Sequence, residues 1–168
     1  GSSKEFVEAI NEIGVKNLNA KRKYLKVIKK FEFKENEKTI SIEPNDNGLE
    51  VNFQLVYANK VIGNQSNKVN FADSDLTNVY TSRTFCLYED IEKIKKIGLA
   101  KGGSLENAVV VKGDEILNTE GLRNNKEFVN HKILDLAGDF LLSGYRILGS
   151  VKCTQGGHSL SNLFLRDF

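Results

Sequence analysis

The stretch FVNHKILDLAGDFLLS, Phe128 to Ser143, constrains this chain more than any other, because its apolar residues recur at the helical interval. At about 100° per residue, Val129, Ile133, Leu134, Leu136, Ala137, Phe140 and Leu141 fall on one arc, which must be covered by a sheet or by other helices. His131, Asp135 and Asp139, spaced at i, i+4 and i+8, stack on the opposite face. The helix can therefore dock without hiding them. A neutral imidazole and a carboxylate at this spacing can both reach one divalent ion, and zinc accepts such nitrogen and oxygen ligands. The same spacing suits a solvated ion pair equally well, so spacing alone leaves both readings open.

Alternating segments elsewhere supply a covering sheet. Leu49, Val51, Phe53 and Leu55 alternate with polar neighbours, the pattern of a half-buried strand. Tyr24 to Phe33 is rich in β-branched and aromatic residues and reads as a strand, followed by a turn at Glu35 to Glu37 and a strand from Thr39 to Glu43. Pro44 and the cluster Asn45-Asp46-Asn47-Gly48 then break the chain. Three antiparallel strands are expected from this run. Val69 and Phe71 mark a further short strand, and Ser74 is placed to cap a helix running to about Ser82. Strand, helix and strand follow at Thr84 to Leu87, Glu89 to Ile97 ending at Gly98, and Ala108 to Val111. Gly102-Gly103-Ser104 lacks the Gly-Lys-Ser/Thr ending of a phosphate loop and reads as a turn. Tyr145 to Thr154 reads as a last strand, after which Gln155-Gly156-Gly157 delivers His158 at the mouth of a final helix. At the start, Ser2 and Glu5 have capping-box spacing, and Phe6, Ile10 and Ile13 continue at helical intervals until Gly14. The predicted fold class is α+β, a two-layer sandwich of a largely antiparallel sheet and helices.

A chain of 168 residues with 40% hydrophobic content can bury one core of ordinary size. Its formal charge of +2 leaves no overall nucleic-acid footprint, and the basic run Lys21, Arg22, Lys23, Lys26, Lys29 and Lys30 lacks interleaved aromatic platforms. No nucleic-acid partner is expected. No apolar stretch approaches the roughly 18 residues of a membrane span and no signal peptide opens the chain, so a cytoplasmic location is expected. Cys86 and Cys153 stand far apart without CxxC spacing and are expected to be reduced, buried thiols.

The ordered set of motifs SRTF at 82–85, GGS at 102–104, GLR at 121–123, HKILDLAGD at 131–139 and GGHSLSN at 156–162, with the PNDNG turn before them, resembles one family. The chain is similar, over essentially all 168 residues, to the C-terminal portion of the zinc-dependent UDP-3-O-acyl-N-acetylglucosamine deacetylases of bacterial lipid A synthesis. The resemblance implies that residues 1–22 are the last helix of a first domain plus an interdomain linker, and that 23–168 form a second catalytic domain. Residues 84–111 would then be a βαβ insertion whose apolar side chains, Phe85, Ile91, Ile94, Leu99, Leu105 and Val110, line a passage for the substrate's acyl chain.

It also implies site residues. His131 and Asp135 match two zinc ligands, and Asp139 and His158 match a pair in which the aspartate orients and charges an imidazole that protonates the leaving amine. Lys132 resembles a substrate-contacting lysine near the developing oxyanion, and Thr84 a hydroxyl that stabilises the tetrahedral intermediate. Phe85 would stack on the sugar, with Lys38, Gly103 and Ser104 as further substrate contacts. Family members carry a third zinc-binding histidine and a glutamate general base in the first domain, whereas no histidine precedes His131 here. The chain alone is therefore expected to be inactive. The expected partners are the nucleotide-sugar substrate and the missing N-terminal domain, with zinc as cofactor and the protein a monomer. The alternative is a non-catalytic module that binds an acyl chain or a nucleotide sugar.

Overall fold

The computed structural model describes residues 1–73, 75–96, 98 and 102–168, the side chains of 94 and 95 excepted. The expected Ser74 cap, the Ile97 helix end, and the Ile94 and Leu99 side chains of the acyl passage lie outside the described residues.

Helix α1 (Lys4–Ile13) ends at Gly14, which adopts φ 82° and returns its N–H to the Ile10 carbonyl at 2.8 Å. The capping box does not form: the residue before the helix is Ser3, whose hydroxyl donates instead to the Tyr80 carbonyl at 3.3 Å. No residue of α1 is buried, and its apolar stripe Phe6, Ile10 and Ile13 faces solvent. The segment Tyr24 to Phe33 is two strands rather than one. β1 (Tyr24–Lys26) and β2 (Phe31–Glu35) pair with different partners, and the chain bends between them with Val27 buried and Ile28 exposed.

β3 (Lys38–Glu43), β4 (Leu49–Leu55) and β5 (Gln65–Asn70) complete the first part of the main sheet, with α2 (Thr77–Tyr80) shorter than the sequence predicts. β6 (Thr84–Leu87), α3 (Ile91–Lys96) and β7 (Ala108–Lys112) form the expected βαβ unit, β6 and β7 pairing in parallel from Thr84↔Ala108 to Leu87↔Val111. A short β8 (Glu115–Ile116), unforeseen from the sequence, folds back antiparallel on β7. Helix α4 (Glu127–Phe140) runs on as a single 3₁₀ turn, Leu141–Ser143, and stops at Gly144 with φ 81°. β9 (Arg146–Thr154) and α5 (His158–Asp167) close the chain.

The main sheet has the order β2-β3-β9-β4-β5, with β1 added along the start of β9. The expected run of three antiparallel strands is thus corrected: β2 and β3 pair as predicted, but β9 inserts between β3 and β4, antiparallel to the first and parallel to the second. A nine-residue strand with buried Ile147, Val151 and Cys153 has the length and apolar content to occupy the centre, which β4 alone could not fill. Antiparallel pairings still dominate this sheet, and the α+β class holds.

One face of the sheet is covered by α4, over β4 and β5, and by α5, over β2 and β3. Phe53, Phe128, Phe140 and Phe164 are almost wholly buried in this layer, each contributing about 1.5–3 kcal/mol by burial. The Phe140 and Phe164 rings stack at 5.6 Å and lock α4 to α5.

Candidate active site

The acidic and imidazole side chains of α4 share one i, i+4 row, with Lys132 beside it, and the row is one turn longer than the sequence suggested. It begins at Glu127 and continues through His131, Asp135 and Asp139.

His131 is buried rather than displayed on an open wall, with 7% of its surface exposed. Its Nδ1 lies 3.2 Å from the carbonyl oxygen of Ser82, an acceptor, so Nδ1 carries the proton and donates there. Nε2 then presents its lone pair, 3.4 Å from Oδ1 of Asp135. Burial holds this imidazole below its ordinary range, against the opposing pull of the Asp135 carboxylate, and keeps it neutral at pH 7. Asp135 keeps Oδ2 occupied by the Lys132 ammonium at 3.1 Å. The arrangement leaves one nitrogen and one carboxylate oxygen turned to a shared space.

That space is a cavity of about 380 Å³ between α4, β6 and the ends of β3, β4 and β9. Lys38, Thr84, Phe85, His131, Lys132 and Asp135, six of the residues picked out from the sequence, line it together. Phe85 is fixed edge-on against Phe128, at 5.0 Å between centroids, and against Tyr57 at 5.9 Å. Asp139 lies beside the same cavity, in a depression it shares with Lys132, Asp135 and Gly156. Its two carboxylate oxygens lie 2.9 and 3.0 Å from Nδ1 of His158, the first residue of α5. The remainder of that ring points outward, and the His158 side chain is 70% exposed.

Gly103 and Ser104 are not among the cavity's lining residues. They sit in a turn before β7, where Asn107 bonds both the Ser104 N–H, at 3.0 Å, and the Gly102 carbonyl, at 2.8 Å. Tyr57 and Gln155 do line the cavity and were not singled out from the sequence. Gln155 has φ 52°, left-handed for a residue other than glycine, and its amide donates to the Val56 carbonyl at 3.1 Å. A bend of this kind carries no clear signature in a Thr-Gln-Gly-Gly sequence. Ser82, Arg83 and Glu127 were missed as well, although Glu127 continues the four-residue spacing of the helix row.

Cys153 is buried and its thiol is pushed up to about 12, chiefly by burial, which leaves it protonated and unreactive. Cys86, expected to be buried, is only half-buried in β6; the burial it has, reinforced by Asp90, raises its thiol. Among the described residues, no group of three or more His, Cys, Asp or Glu side chains is placed to hold a metal ion, so His131 and Asp135 stand as a pair of donors. Among the described residues no helix is long and apolar enough to cross a membrane.

A family model described as "LpxC: UDP-3-O-acyl N-acetylglycosamine deacetylase" matches residues 1–168. The chain is 38% identical over 168 residues to the UDP-3-O-acyl-N-acetylglucosamine deacetylase of Nautilia profundicola, covering 99% of this chain and 57% of that protein. It is 38% identical to the protein of the same name from Campylobacter jejuni subsp. doylei, again with 99% and 57% covered. With that of Anaeromyxobacter sp. it shares 40% identity over 167 residues, which is 99% of this chain and 55% of the relative. The chain thus spans little more than half the length of these curated relatives.

Proposed function

The chain belongs to the UDP-3-O-acyl N-acetylglycosamine deacetylase family, and from that premise we propose that it forms one wall of a zinc-dependent active site. The whole protein would remove the N-acetyl group of UDP-3-O-acyl-N-acetylglucosamine, on the pathway to lipid A. The observation that carries this reading is the placement of the His131 ring, with Nδ1 engaged by a backbone carbonyl and Nε2 turned toward Asp135 at a cavity. A zinc-binding histidine needs that arrangement, its far nitrogen tied down and its near lone pair free. Nε2 of His131 and the Asp135 carboxylate would hold the ion, and the portion of the protein outside this chain would supply the remaining ligand and the general base. When bound, zinc supplies Lewis acidity that activates water and polarises the acetamide carbonyl.

Hydrolysis adds the oxygen of water to the carbonyl carbon, breaks the C–N bond, and leaves acetate and a free amine. The Thr84 hydroxyl and the Lys132 ammonium line the cavity where negative charge would build on the carbonyl oxygen. Asp139 holds the His158 ring by Nδ1, so that Nε2 is the atom able to pass a proton to the departing amine. Phe85, clamped by Phe128 and Tyr57, presents a rigid aromatic surface to the sugar, and Lys38 a positive charge to the nucleotide. Gly103 and Ser104 belong to the same proposal as contacts to a longer part of the substrate. So does the role of the βαβ unit as the acyl passage, along with a cytoplasmic, monomeric protein. In the whole protein, His158→Ala is expected to lower kcat by about 100-fold or more while the zinc content by emission spectroscopy stays the same. Unchanged turnover would remove His158 from the mechanism.

A further inference from the structure

Arg83 is completely buried at the mouth of β6, and a guanidinium in that position has to be held by several partners at once. Its Nε donates to Oε1 of Glu127 at 2.8 Å and its Nη2 to Oε2 at 3.2 Å, a forked pair with a carboxylate that is itself fully buried. Nη2 also reaches the Gly121 carbonyl at 2.7 Å, and Nη1 pairs with Glu120. Glu127 accepts two backbone N–H groups besides, from Arg83 at 2.9 Å and Arg123 at 2.7 Å. One carboxylate thereby joins the start of β6, the 120–123 loop and the first turn of α4.

This bracket stands directly behind the candidate metal site. Arg83 follows Ser82, whose carbonyl receives Nδ1–H of His131, and Glu127 lies one helical turn before His131. The two ends of the Ser82–His131 hydrogen bond are each adjacent to one half of the ion pair. We propose that Arg83 and Glu127 are positioning residues that hold the Ser82 carbonyl against Nδ1 of His131 and so fix the ring in the tautomer whose Nε2 faces the cavity. A histidine ring free in water carries its proton mainly on Nε2, the arrangement that would block this nitrogen as a ligand. The bracket therefore selects the less favoured tautomer before any ion arrives. What Nε2 is used for rests on the function proposed above; which nitrogen carries the proton does not.

The test reads the tautomer itself, by ¹⁵N NMR of histidine-labelled, metal-free chain at about pH 8, above the ordinary imidazole range. The chain has two histidines, and a His158→Gln variant assigns their signals. Wild type is expected to show His131 protonated at Nδ1. The double variant Arg83→Met/Glu127→Leu replaces both charges with apolar volume, a change that commonly preserves a fold. It should keep the circular dichroism of the parent while the His131 signals move toward the values of a free ring, with loss of most of the Nδ1–H population. A folded double variant with an unchanged tautomer would overturn the proposal. Should that variant not fold, Arg83→Lys, which keeps the charge but loses the fork, is measured in its place. A reduced Nδ1–H population then supports the proposal and an unchanged one overturns it. If the tautomer depends on the bracket but the whole protein holds no zinc, positioning stands and the metal reading fails.

Discussion

Gly156 lies on the wall of the cavity, two residues before His158, and its environment predicts a sharp and separable effect of adding a single methyl group. Its backbone is outside the left-handed region, so alanine is allowed there on conformational grounds. What forbids it is space. A Cβ at Gly156 would fall well inside contact distance of the Cys153 Sγ, with Cε2 and Cζ of Phe53 next at 3.5 and 3.6 Å. Cys153 cannot swing away, because it is 1% exposed and sits in the sheet between Ile40 and Phe53. Gly156→Ala should therefore cost about 1–3 kcal/mol, the usual penalty of overpacking a tight site. In a Cys153→Ala background the sulfur is gone and the same methyl group should cost at least about 1 kcal/mol less. Urea melts of the four proteins in this cycle measure the coupling directly. Additivity to within about 0.5 kcal/mol would show that the sulfur does not confine the loop that carries His158, and the steric account would fail.

Glu127→Ala strands a buried guanidinium and two backbone N–H groups, and should cost about 3–5 kcal/mol, or roughly 6–20 °C in Tm for a chain of this size. The exposed pair Lys30–Glu32 provides the contrast in the same melts, since its loss should cost under about 1 kcal/mol; equal effects would refute the distinction. Burial alone would raise the Glu127 carboxyl, but the bonds from Arg83 and the two backbone N–H groups outweigh it and hold the group below its usual range. A depressed native value means that its stabilisation is present above about pH 4.3 and is lost as pH falls through the native value. Glu127→Gln should accordingly show a flatter acid limb of stability against pH, and an unchanged limb would show that other carboxylates carry it.

Short-range periodicity made one element of each layer legible. The apolar arc of α4 and the alternation of Leu49 to Leu55 can each be read within a dozen residues, and their apolar side chains are buried or half-buried as expected except Leu141, which lies in the exposed turn after the helix. The position of β9 could not be read in that way, because its neighbours β3 and β4 are chosen by long-range pairing. Val51↔Val151 and Ile42↔Val151 join segments that local patterning cannot connect. The division of Tyr24 to Phe33 failed for the same reason, since β-branched composition gives strand propensity without giving the partner. Among the site residues, His131, Asp135 and Asp139 were legible from helical spacing, and the shared cavity with Thr84, Phe85 and Lys38 from resemblance to a family. Arg83 was not, because a charged residue beside a strand reads as exposed until its partner Glu127 is brought to it by the fold.

β9 connects the helix bearing His131, Asp135 and Asp139 to the helix that starts with His158, and neighbours on both flanks pin its register. A slip of a single residue along this strand would carry His158 about 3.3 Å relative to Asp139, enough to part a bond of 2.9 Å. The middle of the sheet thus serves as the gauge bar for the spacing between α4 and the start of α5, and substitutions far from the cavity that loosen β9 should part Asp139 from His158 before they threaten folding.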